Sequence, residues 1–149
     1  MYRFEKSIFI NRPQKEVFEY ATDPTRNAEW QSQTVSAEWA SAGPPGVGSK
    51  IKSVVKLFGR EMAGGAEVTQ WEPYHAFSFK GSGGGFEVEG KLRFEPKENG
   101  TQLTLYGQVG GGGIFKLFEG LIGRQTEKMD GINYDTLKRM LEARQDTNT

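Results

Sequence analysis

The chain has 149 residues, with 19 basic and 19 acidic side chains, no formal net charge and a pI near 6.6, so it lacks the electrostatic footprint of a nucleic-acid-binding protein. It contains no cysteine, which excludes disulfides, thiolate metal sites and cysteine nucleophiles. The length suffices for one hydrophobic core without covalent staples, and the 20 glycines sit among clear strand and helix patterns instead of low-complexity sequence.

Residues 2–11 alternate Tyr2, Phe4, Lys6, Ile8 and Ile10 against Arg3, Glu5, Ser7 and Phe9, the pattern of a half-buried strand. Asn11-Arg12-Pro13 supplies a cap and an early-turn proline for a helix over residues 14–21, with Val17, Phe18 and Ala21 on one face. Asp23-Pro24 starts a second short helix that ends near Trp30. Strands follow over residues 32–41, 50–58, 60–71, 76–80, 86–95 and 101–109. They are separated by turn signals at Gly43-Pro44-Pro45-Gly46, Gly59, residues 72–75, residues 81–85 and Glu98-Asn99-Gly100. Gly64-Gly65 reads as a bulge or bend within its strand.

After Gly110 to Gly113, read as a hinge, one long helix is expected to reach Arg144. Its apolar residues Ile114, Phe118, Leu121, Ile122, Met129, Ile132 and Met140 form a single stripe, with Lys116, Glu127, Asp130 and Lys138 opposite and Gln125 within it. Gly120, Gly123 and Gly131 fall on the outer side in this reading and suggest a pliable helix or a partner surface. The expected fold is α+β: a seven-stranded antiparallel meander that curls to bury one face against the helix. A single domain over residues 1–144 and a polar tail over 145–149 complete it.

The opening strand with Asn11-Arg12-Pro13 and Val17-Phe18 resembles the polyketide cyclase/dehydrase-like branch of the START and birch-pollen-allergen (SRPBCC) superfamily. So do Trp30 closing the second short helix, Val68-Thr69 before Trp71-Glu72-Pro73, and the strand Gly100-Thr101-Gln102-Leu103-Thr104. The resemblance covers almost the whole chain and implies a helix-grip fold, in which the sheet grips the long helix around a hydrophobic cavity. In that family the cavity holds lipids, polyketides, hormones or other apolar molecules; fold analogy alone supplies no reaction.

The expected cavity residues are Trp30, Ser53, Val55, Met62, Val68, Phe77, Phe79, Phe86, Val88, Leu105, Phe118, Ile122, Gln125 and Met129. Gln125 is the polar handle of this set, because an amide on an apolar stripe needs either a backbone partner or a wet cavity. Ser53 is a second, smaller one. His75, the lone histidine, lies in a turn where a solvated side chain is the default, and it joins Gln125 and Tyr106 as a candidate for proton transfer. The charge row Glu87, Glu89, Lys91 and Arg93 reads as a solvated sheet face. No inward acid, metal-ligand set, cofactor motif or nucleophile-base-acid triad is visible, and the glycine clusters lack phosphate-loop spacing.

The leading expectation is a binding protein for a small apolar or amphipathic molecule, without cofactor or metal. A polyketide cyclase or dehydratase is the alternative, and an interaction or assembly factor using the glycine-bearing helix face is the third. No partner nucleic acid is expected; a homodimer is left open. Residues 1–13 lack the unbroken apolar run of a signal peptide and no run reaches membrane-span length, so the expected location is the cytoplasm.

Overall fold

A computed structural model describes residues 1–57, 59–83 and 85–144. Seven strands form one antiparallel sheet: β1 (Tyr2–Ile10), β2 (Thr34–Trp39), β3 (Lys50–Leu57), β4 (Arg60–Glu72), β5 (Ala76–Gly83), β6 (Phe86–Lys97) and β7 (Gly100–Gly111). Their order is β1-β7-β6-β5-β4-β3-β2, so the first strand closes beside the last and the others follow as a meander. Helices α1 (Gln14–Ala21) and α2 (Asn27–Trp30) are joined by a 3-10 turn, Pro24–Arg26, and α3 (Glu119–Glu142) follows a 3-10 segment, Gly113–Phe118. This is the expected helix-grip arrangement. Among the described residues, no helix is long and apolar enough to cross a membrane.

Several boundaries differ from expectation for local reasons. Pro13, not Asn11, stands at the N-cap position of α1, with no side-chain cap hydrogen bond, and the Asn11 N–H donates to Glu142 Oε2 at 2.9 Å. Asp23 does cap its turn, accepting from the Thr25 N–H at 3.0 Å. Gly64 and Gly65 pair in regular register with β3; the shift in β4 falls between Val68 and Gln70. Gly110 and Gly111 belong to β7, paired with Glu87 and Phe86, so the hinge expected at the four glycines shrinks to Gly112 and Gly113. Gly113 takes the left-handed conformation (φ 58°) that favours glycine there. Phe58, Gly84 and the tail 145–149 lie outside the described residues.

The core occupies one end of the sheet. Phe18 of α1 sits edge-on to Trp71, Tyr74 and Phe94 at 5.2, 5.8 and 5.2 Å between ring centroids, and Leu137 and Leu141 of α3 are fully buried with it. Full burial of such a ring stabilises by about 1.5–3 kcal/mol. Asn133 ties α3 to the α2–β2 connection: its Oδ1 accepts from the Ser32 N–H at 3.0 Å, and its Nδ2 donates to Gln33 Oε1 at 2.8 Å. Helix α3 packs chiefly on β1 and β7.

Candidate functional site

The pairing registers define what the concave face carries. One row across the sheet runs Tyr2, Val109, Val88, Gly81, Ala66, Ile51, Trp39. Beside it, Ala37, Ser53 and Gly64 align on β2, β3 and β4. The middle of this surface is therefore a floor of small residues: Ala37, Ser53, Gly64, Ala66 and Gly81. Every one of them is half-buried, as are Ile51, Val55, Phe79, Phe86 and Val88 around them, and Met62 is 37 % exposed. On the neighbouring row the concave side is filled. The Phe4 ring lies against Gly107 and the Phe79 ring against Gly90, each occupying the space of a missing Cβ. The concave face thus divides into a packed end and an accessible, apolar end with a low floor.

Phe115 closes one side of that floor. It meets Phe86 edge-on at 5.4 Å and packs where Gly85 and Gly111 have no side chains. The expected cavity set accordingly splits. Trp30, Val68, Phe77 and Leu105 are buried in the core; Ser53, Val55, Phe79, Phe86, Val88, Ile122 and Met129 are half-buried; and Met62 and Phe118 are exposed, Phe118 by 49 %.

Helix α3 presents a different face from the expected one. Its buried positions are Gly123, Asn133, Leu137 and Leu141. At about 100° per residue, Asp130 lies within about 20° of Gly123, Leu137 and Leu141, whereas Gln125 lies about 140° away. Gln125 is exposed and is not the polar handle of the inward face. The glycines are corrected with it. Gly123 receives the Tyr2 ring, which a Cβ would meet at under 3.0 Å, and Gly131 faces the Lys6 stem at 3.4 Å. Both lie on the side of the helix toward β1, not its outer side, and Gly123 is the one packed tightly there.

Asp130 is an acid that the apolar stripe, read alone, places outside. Burial pushes its carboxyl up to about 7, against a partial opposing pull from the Lys6 ammonium. Tyr134, one turn on, is held well above the ordinary phenol range, first by burial and then by the Asp130 charge. Tyr134 also packs against Trp30, the rings tilted at 56° with centroids 5.0 Å apart, and the Trp30 indole N–H is buried with no hydrogen-bond partner among the described residues. A recess of about 540 Å³ opens beside this group between β1 and α3, lined by Lys6, Ile8, Leu103, Leu105, Gly131 and Tyr134 among others. The signal that could have found Asp130 is its spacing from Gly123 and Leu137, seven residues either way.

The other proton-transfer candidates point elsewhere. Tyr106 alternates with the buried Leu105 and Gly107 and so stands on the convex face, 37 % exposed. There it lines a second recess of about 720 Å³ with Arg3, Glu5, Glu89, Lys91 and Gln108. Polar groups there bond one another: Arg3 Nε donates to Gln108 Oε1 at 3.1 Å, and Lys80 pairs with Glu89 at 3.4 Å. His75 is exposed in its turn, with Nδ1 3.1 Å from Gln14 Nε2. Neither residue approaches the concave face.

Comparison with known proteins agrees with this architecture. No curated protein sequence matches. Among solved structures, the di-domain aromatase/cyclase BexL of the BE-7585A biosynthetic pathway has a TM-score of 0.80 at 17 % identity over 98 % of this chain, which spans 48 % of BexL, about half its length. The Zhui aromatase/cyclase of Streptomyces sp. R1128 gives 0.80 at 14 % identity, covering 96 % of this chain and 94 % of its own. TTHA0849 of Thermus thermophilus gives 0.71 at 21 % identity, with 96 % of each chain covered. At such identities the likeness is one of fold. The family model described as polyketide cyclase / dehydrase and lipid transport matches residues 1–142, and the chain belongs to that family.

Proposed function

We propose that the protein binds a small apolar or amphipathic molecule on the concave face of its sheet, over the floor formed by Ala37, Ser53, Gly64, Ala66 and Gly81. The observation that carries this reading is the register itself. Five small residues fall side by side on the neighbouring strands β2 to β5, all accessible, inside a rim of Ile51, Val55, Met62, Phe79 and Val88. An apolar concavity with few polar groups is the usual form of a small-molecule site. Its floor is polar at one side chain, Ser53, whose Oγ lies 3.0 Å from where a Gly64 Cβ would stand.

Native mass spectrometry of protein purified from its own host tests the reading, with a co-purified apolar molecule expected. Ser53→Phe, which raises the floor by a ring, is expected to displace that molecule and to weaken binding of the apolar fluorophore anilinonaphthalene sulfonate at least about tenfold. Unchanged fluorophore affinity in the variant would refute the site.

One observation favours a second reading, a cyclase or dehydratase acting on a polyketide-like chain. Asp130 is an inward carboxyl with a pKa of about 7, suited both to give and to take a proton near neutral pH. Turnover of a poly-β-ketone thioester that persists unchanged in Asp130→Asn would remove it.

A further inference from the structure

The 3-10 segment and the first half of α3 carry an apolar surface that the fold leaves uncovered. Ile114 is 69 % exposed, Leu117 81 %, Phe118 49 % and Leu121 54 %; Ile132, in the second half of the helix, is 55 % exposed. Scattered exposed leucines need no explanation, but a contiguous apolar patch on one face marks a contact surface. The charges around it are segregated. Of the carboxylates on this segment, Glu119 bonds the Met1 amine, Glu127 accepts from the Tyr2 hydroxyl, Asp130 is turned inward, and Glu142 accepts from Lys138 and the Asn11 N–H. Asp135 alone among its acids is exposed, against four exposed cations, Lys116, Arg124, Lys128 and Arg139. The segment thus shows solvent a positive apolar face.

We infer that this face docks on an anionic phospholipid surface. Apolar side chains enter the acyl boundary while lysine and arginine meet the headgroups, as in interfacial amphipathic helices. A second copy of the chain fits less well, because a two-fold contact through this face would set the four cations of one copy against those of the other. The segment leads directly out of β7 where Phe115 closes on Phe86, so docking would bring the accessible end of the concave face to the membrane. The inference does not depend on what the concave face holds, and it survives if no bound molecule is found there.

Co-sedimentation with vesicles tests it, using phosphatidylcholine alone and phosphatidylcholine mixed with phosphatidylserine. Wild type is expected to bind the mixed vesicles, to bind phosphatidylcholine alone far less, and to be released by salt. Leu117→Ser with Phe118→Ser is expected to weaken binding at least about tenfold; Arg124→Gln and Lys128→Gln are expected to cost about fivefold each. These side chains are exposed, so circular dichroism of each variant is expected to match wild type. Absence of wild-type binding to mixed vesicles would overturn the inference, as would binding untouched by either pair of substitutions. Sedimentation equilibrium showing a dimer that the Leu117→Ser, Phe118→Ser variant abolishes would assign the face to a second copy instead.

Discussion

Asp130→Asn is expected to stabilise the protein, and to do so more as pH rises. The ordinary aspartate value is 3.8 and the folded value about 7, because the carboxylate is withdrawn from water on the inward face of α3 and Lys6 offsets only part of that loss. Between those values the folded state holds a proton that the unfolded state has released, so stability contributed by the protonated group is complete at low pH and is lost as pH climbs to about 7. The full difference corresponds to roughly 4 kcal/mol. Asparagine keeps the shape and cannot ionise, so the variant escapes this loss. Its advantage is expected to be small near pH ~4 and to approach roughly 4 kcal/mol near pH ~8. For a domain of this size that is on the order of 10 °C in Tm. Urea or thermal unfolding of both proteins across that range is the assay. Stability curves for wild type and variant that run parallel in pH would refute the burial of the Asp130 carboxyl.

The packing of rings on glycines makes sharper demands. Gly107→Val is expected to destabilise by about 1–3 kcal/mol, because its Cβ falls on the buried Phe4 ring; a urea midpoint equal to wild type would contradict the contact. Gly90→Val is expected to behave alike through Phe79, whose ring atoms would lie 2.6 Å from the new Cβ. Gly123→Ala is expected to lift α3 from β1 at Tyr2 and lower Tm despite the better helix propensity of alanine. Gly120→Ala, with open space at its Cβ, is expected instead to stabilise by up to ~1 kcal/mol. Equal shifts from these two helix substitutions would show that the glycine at position 123 has no packing role.

The fold is legible in the sequence because its signals are local and repeated. Alternation in residues 2–10 and 86–95, proline before α1, and the turn at Glu98-Asn99-Gly100 each specify one element, and antiparallel meanders leave few ways to connect such elements. Boundaries shift where the deciding partner is distant. Gly110 and Gly111 look like a linker until Glu87 and Phe86 pair with them. The small-residue floor is only partly legible. Ser53 and Gly64 are 11 positions apart, each in an ordinary strand pattern, and they become neighbours when the β3–β4 register is known.

The differences on α3 have one cause. If apolar residues mark the inward face, then Gln125 falls inside and Asp130 and the three glycines fall outside. The helix instead turns by roughly 120°, because the side toward β1 needs to be small more than it needs to be greasy. Gly123 admits the Tyr2 ring, and this close approach carries Asp130 inward between Gly123 and Leu137. Leu121 and Ile132 are left in solvent at 54 % and 55 % exposure. One rotation therefore both turns an acid inward and frees an apolar stripe for an outside surface. A helix that was amphipathic only to fill a core would have buried that stripe; this one is amphipathic in two directions, and the glycines decide which of them the fold uses.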